Sequence, residues 1–257
     1  MLKLHSYFRS SAAYRCRIAL NLKGLAHETA FVHLIKDGGQ QHATAYRALN
    51  PQSLVPMLEA DGQVITQSLA IIEYLEETQP EPSLLPGDAL QRARIRAFAL
   101  AIACDVHPLN NLRVLNYLKG PMGQDQAVVD TWYRHWVESG LAACEALLPA
   151  NASRFCFGDR PTLADVCLVP QMYNARRLKC DLSGLPRLVA IDEACRVLKA
   201  FADLGGHCVT KLIEAYEKAR NDDTAPYLIL VHTIKGFGLE CAANPSNHSA
   251  LPAQKEI

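Results

Sequence analysis

The chain has no surplus of either charge: 26 Lys and Arg balance 26 Asp and Glu in 257 residues. Nucleic acid and anionic membrane surfaces draw a basic excess, so neither partner is expected. No apolar run is long enough to span a bilayer, and the opening Met1-Leu2-Lys3-Leu4-His5-Ser6-Tyr7-Phe8 does not read as a signal peptide. Cysteine occurs nine times but never as a Cys-x-x-Cys pair. An odd, scattered set fits neither a disulfide framework nor a zinc site, so no metal is expected. Reduced, mostly buried cysteines in a cytoplasmic protein are the expectation. What remains is a globular composition, 49% hydrophobic and 20% charged. The length suffices for one large domain or two ordinary ones.

The first eighty or so residues alternate strand and helix signals. Leu2–Ser6 and His27–Leu34 read as strands, and Ser11–Lys23 as a helix stopped by Gly24. A turn at Lys36-Asp37-Gly38-Gly39-Gln40-Gln41 precedes a short helix to about Leu49. Val55–Glu59 and Gln63–Ile65 form a hairpin about Asp61-Gly62, and Gln67–Thr78 is a helix with Leu69, Ile72 and Leu75 on one face. The order βαβαββα predicts a small helix-covered sheet over residues 1–82, ended by the linker Pro80-Glu81-Pro82. From Asp88 the pattern turns to long helices: Ala89–Lys119, Gln124–Leu148, Thr162–Ala175 and Pro186–Ala202. They predict an all-helical domain over 87–203. Thr162-Leu163-Ala164-Asp165 reads as a structural capping box with Asp in place of Glu.

The stretch Tyr7-Phe8-Arg9-Ser10-Ser11-Ala12-Ala13-Tyr14-Arg15-Cys16-Arg17 puts two hydroxyls where a strand hands over to a helix. Unpaired backbone N–H groups and the helix dipole favour negative charge there, and Arg9, Arg15 and Arg17 add to it. On these residues alone, the favoured reading is that Ser10 or Ser11 simply caps the helix. Two later features change the weighting. Val55-Pro56 is compatible with a cis bond that would leave the Val55 backbone open to an extended peptide. Gln67-Ser68 opens a second helix, a second anion site. A thiolate site, a peptide edge and a carboxylate site in one small domain suit a short thiol peptide such as glutathione.

These motifs resemble the zeta-class glutathione transferases. Ser10-Ser11-x-x-x-Arg15-x-Arg17-Ile18-Ala19-Leu20, Lys36–Gln41, Leu49-Asn50-Pro51, Val55-Pro56 and Gln67–Leu75 all match the family, as do His107-Pro108-Leu109-Asn110-Asn111 and Leu168-Val169-Pro170-Gln171. The resemblance implies an α/β thioredoxin-like domain, an all-helical domain and a homodimer. It implies glutathione as cofactor and a small dicarboxylate substrate. The activity implied is cis–trans isomerisation of maleylacetoacetate in tyrosine and phenylalanine catabolism, by thiolate addition, rotation and elimination. Maleylpyruvate isomerisation, a broader transferase or dehalogenating activity, and an inactive glutathione-binding protein are the alternatives.

Carried over by position, Ser10 and Ser11 contact the glutathione sulfur and, with Arg9 and Arg15, form the catalytic set. Gln41 and Val55 take the peptide backbone and Gln67 with Ser68 the γ-glutamyl end. His107 and Asn111 reach glutathione or substrate from the helical domain. Arg9, Arg113 and Arg177 are the candidates for the substrate carboxylates, because a guanidinium binds carboxylates in two-pronged fashion. Many family members carry Cys after the serines; Ala12 stands there in this chain. The reactive sulfur must then come from glutathione, and Cys16 is read as core.

Residues 204–257 do not match that family. Gly205-Gly206-His207, the apolar run Tyr227–Ile234, Lys235-Gly236-Phe237-Gly238 and Asn247-His248-Ser249-Ala250-Leu251 resemble part of a transketolase-like or pyruvate dehydrogenase-like thiamine-diphosphate-binding domain. The Gly-Asp-Gly metal motif of that domain is missing, so no thiamine chemistry is expected. A helix at Val209–Arg220, a strand at Tyr227–Ile234, and a loosely packed tail joined in frame near Ala202–Gly205 are the expectations.

Overall fold

A computed structural model describes residues 1–202 of the chain, within a compact unit spanning Met1–Gly205. The expectations for the helix at Val209–Arg220, the strand at Tyr227–Ile234 and the foreign-looking tail lie outside the described residues.

The first part is a four-stranded mixed sheet with helices on it. Strands β1 (Leu2–Ser6), β2 (His27–Phe31), β3 (Met57–Ala60) and β4 (Gln63–Thr66) lie in the order β2-β1-β3-β4. β1 runs parallel to β2 and antiparallel to β3, with Leu4 opposite Leu58. Side chains alternate across the pleat. Leu4, Leu58 and Ala60 join the main core. Met57 joins a smaller cluster with Tyr7, Val32, Tyr46 and Val55.

Helix α1 (Ser11–Leu22) is buried along most of its length, since it lies between the sheet and a later helix. Its end is a Schellman turn: Gly24 takes φ +65°, Leu25 N–H reaches the Leu20 carbonyl and Gly24 N–H the Asn21 carbonyl. Two 3₁₀ turns (Lys36–Gly38 and Gln40–His42) and α2 (Thr44–Leu49) lead to the cis Val55-Pro56 bond. β3 starts only after Pro56, which has no N–H for a ladder. Asp61 and Gly62 both have positive φ, the backbone of a tight hairpin turn. Helix α3 (Ser68–Thr78) closes the βαβαββα order.

The helical part contains α4 (Ala89–Leu100), α5 (Leu112–Lys119), α6 (Gln126–Leu147), α7 (Leu163–Arg177) and α8 (Pro186–Arg196). The continuous helix expected over Ala89–Lys119 is not one element. A π-helical segment, Ala101–Val106, is followed by a 3₁₀ turn, His107–Asn110. Pro108 has no N–H to continue an α-helix, and Asn111 caps α5 by accepting from Val114 N–H at 3.3 Å. Helix α8 likewise stops at Arg196, short of Ala202, and a 3₁₀ turn at Lys199–Phe201 follows. The Thr162–Asp165 capping box is present: buried Asp165 accepts from Thr162 N–H at 2.8 Å, Thr162 hydroxyl at 2.9 Å and Cys156 N–H at 2.8 Å.

The two parts are tied through the linker. Lys23 Nζ reaches Glu76 at 2.8 Å and also donates to the carbonyls of Gln79 at 2.6 Å and Pro82 at 3.1 Å. Glu76 in turn accepts from Ser83, Leu84 and Leu85. No helix among the described residues is long and apolar enough to cross a membrane. Cys16 is fully buried core, its thiol pushed well up by that burial.

Candidate functional site

Two helix N-termini are brought together by one buried side chain. Arg15, in the second turn of α1, is only 1% exposed, and its Nη1 donates to the Ser68 hydroxyl at the start of α3 at 3.3 Å. Among the described residues its Nε and Nη2 have no partner and it forms no ion pair with a carboxylate. A guanidinium buried without an anion is costly, so this one suits an anionic ligand.

The start of α1 is built from the serines. Ser10 is its N-cap, the hydroxyl accepting from Ala13 N–H at 3.2 Å, so the capping role holds for this residue. That bond uses a lone pair and leaves the Ser10 hydroxyl proton available to donate. Ser11 is the first helical residue, buried, and its Oγ accepts from the Asn174 side chain of α7 at 2.6 Å. Arg17 fixes the loop ahead of the helix by donating to Ser6 Oγ at 2.8 Å. Arg9 is exposed, with its guanidinium 5.3 Å from the Phe8 ring centre.

The start of α3 differs. Gln67, at φ +69°, gives it no side-chain cap, and instead donates to the Gln52 side chain at 2.8 Å. The first N–H groups of α3 therefore lack the capping oxygen that α1 has. The backbone just ahead of Val55 is held by two side chains. Tyr46 hydroxyl and Asn50 amide both donate to the Leu54 carbonyl, at 2.6 and 2.8 Å. Neither polar group of the Val55 backbone is used in a hydrogen bond among the described residues. Gln41 is buried and donates to the Leu34 carbonyl at 3.2 Å, while its Oε1 has no partner among the described residues. A Cβ at Gly39 (φ +99°) would fall 2.5 Å from the Gln41 amide, so glycine makes room for that side chain.

The helical part contributes a second group. His107 follows the π-helical segment, a distortion that often marks a functional site. Trp132 of α6 holds its 3₁₀ turn by donating to the Leu109 carbonyl at 2.7 Å. Burial, together with the neighbouring Arg15 and Arg113, lowers the His107 imidazole to about 3. The ring is thus neutral at ordinary pH, with Nδ1 unpartnered among the described residues. Arg113 is exposed on α5. Arg177, exposed at the end of α7, sits beside Tyr133, whose hydroxyl is pushed up to about 12 by burial against the pull of that arginine.

The structure thus joins Arg15 to Ser68 directly and Ser11 to Asn174, and couples His107 with Arg15 and Arg113 electrostatically. Arg9 and Arg177 make no contact with that group among the described residues. Asn174 and Gln171 were not singled out as site residues from the sequence. Both are buried on α7 three residues apart, on one face with Arg177, and the Gln171 amide is unpartnered among the described residues. The matching Val169-Pro170-Gln171 motif pointed to this helix without assigning it a task.

The family description "Glutathione S-transferase, N-terminal domain" matches residues 9–78. A probable maleylacetoacetate isomerase of Vibrio cholerae serotype O1 is 49% identical over 202 residues, 78% of this chain and 94% of that protein. A bacterial maleyl pyruvate isomerase, described as a zeta-class glutathione S-transferase, superposes with a TM-score of 0.77 at 47% identity, over 80% of this chain and 97% of that one. A maleylacetoacetate isomerase from Anaeromyxobacter dehalogenans 2CP-1, solved with GSH in its active site, gives 0.71 at 44% identity, over 81% of this chain and 96% of that one.

Proposed function

The chain belongs to the zeta-class glutathione transferases, and from that premise we propose that it is a glutathione-dependent cis–trans isomerase of maleylacetoacetate, with maleylpyruvate as the alternative substrate. The observation that carries this reading is the buried Arg15, which has no carboxylate partner among the described residues and links the N-termini of two helices. Glutathione fits what surrounds it. An uncapped helix end at Ser68 suits the γ-glutamyl carboxylate, the unused Val55 backbone suits an extended peptide, and the unpartnered Gln41 oxygen suits an N–H donor. When bound, glutathione supplies a thiolate that adds to the substrate double bond, permits rotation and departs.

The protein's own groups have three tasks. The first is to keep the sulfur ionised: hydroxyl protons on Ser10 and Ser11 donate to it, and the α1 N-terminus and Arg15 add positive potential. The second is to hold the glutathione ends, by Gln41, Val55, Gln67 and Ser68, with neutral His107 and Asn111 reaching in from the helical part. The third is to bind and orient two substrate carboxylates, for which Arg9, Arg113 and Arg177 are the exposed guanidiniums. These groups also stabilise the negative charge that moves onto substrate oxygen during the reaction. Homodimer formation and a cytoplasmic location belong to the same proposal.

The test is isomerisation of maleylacetoacetate and of maleylpyruvate, each with and without glutathione. Turnover of at least one that requires glutathione is expected. Turnover independent of glutathione would overturn the mechanism. Glutathione binding without turnover of either substrate would instead favour a binding protein.

A further inference from the structure

We propose that Asn174 is a positioning residue for Ser11, reaching from α7 in the helical part to the start of α1. The proposal rests on the glutathione reading above and goes beyond it by giving a task to a residue that the motif reading left out.

The two residues are 163 apart in sequence, both 6% exposed, and the Asn174 amide N–H donates to Ser11 Oγ at 2.6 Å. A serine hydroxyl has one proton and two lone pairs. Left alone it rotates, and in a first helical turn it has carbonyls nearby to which it can donate. An amide N–H fixed on one lone pair removes part of that freedom. The hydroxyl proton is then the one donor Ser11 has left, and the side on which it can donate is restricted. Ser10 is restrained similarly, by Ala13 N–H on its own lone pair. Both hydroxyls of the pair are thus held as acceptors by the protein, which leaves their protons for a ligand anion. Asn174 also makes this half of the site depend on the packing of α7 against α1. A hydrogen bond polarised by another donates more strongly, so Asn174 aids the Ser11 donor as well as aiming it.

The readout is ionisation of glutathione bound to the full-length protein, followed by its ultraviolet thiolate band as pH is varied. Glutathione affinity by calorimetry and thermal unfolding are measured alongside. Asn174→Ala lets the Ser11 hydroxyl turn away, and the ionisation constant of the bound thiol is expected to fall about tenfold, moving the thiolate band about one pH unit upward, the effect of one hydrogen bond to an anion. Asn174→Asp keeps the side-chain volume should the alanine variant not fold. An ionised carboxylate accepts the Ser11 proton, so the loss is at least as large. In a Ser11→Ala background the effect of Asn174→Ala shrinks to less than about twofold, because the two act as one unit.

An unchanged thiolate band in a folded Asn174→Asp variant overturns the proposal. So does an undiminished Asn174→Ala effect in the Ser11→Ala background, which would mark the residue as structural only. Failure of the wild-type protein to bind glutathione overturns the parent reading and this one together. Wild-type binding with an ionised thiol that Asn174 substitutions do not alter overturns this one alone.

Discussion

Replacing Glu76 by Gln tests how the sheet part is fastened to the helices. Lys23 caps the C-terminus of α1 and Glu76 lies in α3, and the side chains are 0% and 9% exposed. Glutamine is close in size and retains one oxygen for the Ser83, Leu84 and Leu85 donors. The lost part is the charge opposite Lys23, which keeps the Gln79 and Pro82 carbonyls. Breaking a buried pair by removing one partner costs about 3–5 kcal/mol, and these remaining contacts put the cost near the low end, about 3 kcal/mol. For a unit of this size that lowers Tm by roughly 6–12 °C. The control is Glu73→Gln, which removes the Arg96 pair; both side chains there are about one-third exposed, at 35% and 34%. Its expected cost is under ~1 kcal/mol. Equal Tm shifts for the two variants, by calorimetry, would refute the reasoning. The pH dependence follows in sign. Burial alone would raise the Glu76 carboxyl, but Lys23, Ser83 and the Leu84 N–H outweigh it and hold it below its ordinary range. Its stabilisation is complete above the unfolded-chain value of ~4.3 and is lost as pH falls through the lower folded value. Glu76→Gln should therefore lack that part of the acid loss.

Three further outcomes are expected. A Cβ at Gly140 would fall 2.1 Å from Val106 Cγ2. Gly140→Ala should cost about 1–3 kcal/mol and disturb the segment that carries His107; an unchanged Tm would refute it. In the native protein Cys104, exposed, should alkylate before the other described cysteines. Buried Cys16 and Cys167, the latter raised by burial to about 11, should resist, and peptide mapping that finds Cys16 modified as fast as Cys104 would contradict this. A chain ending after Ala202 keeps the bonds from Tyr14 hydroxyl to the Phe201 carbonyl and from Asn21 to the Ala200 carbonyl. It should unfold as cooperatively as the full chain, whereas one ending before Lys199 should be less stable; the opposite order would contradict the account.

Where local chemistry decides, the sequence was legible. Gly24 ends α1, Asp61-Gly62 turns the hairpin, and the Thr162–Asp165 box starts α7, each through the backbone of a few neighbouring residues. The break after Leu100 was hidden because Ile102 and Val106 continue the apolar rhythm of α4 through the π-helical segment. Only Pro108 and the cap at Asn111 signal the interruption, and their spacing alone does not distinguish a kink from an end. Charge partners were hidden for another reason. Lys23 and Glu76 each look like solvated helix residues until the fold buries both. The site divides along the same line. Ser10, Ser11, Gln67 and Ser68 lie at helix starts that periodicity locates. Asn174 touches Ser11 only because α7 packs on α1, a relation between distant residues that no local pattern contains. His107 could be named from its motif, but its neutrality comes from burial beside Arg15 and Arg113.

The central claim is that the paired serines serve a thiolate supplied by glutathione rather than the fold alone. Ser10→Ala/Ser11→Ala tests it, with turnover counted per folded molecule and unfolding measured in the same preparation. Losing the Ser10 cap should cost about 1 kcal/mol of stability. Glutathione-dependent isomerisation should fall by on the order of a hundredfold or more, the usual effect of removing donors to a reacting anion. Turnover that falls only in step with stability would contradict the account.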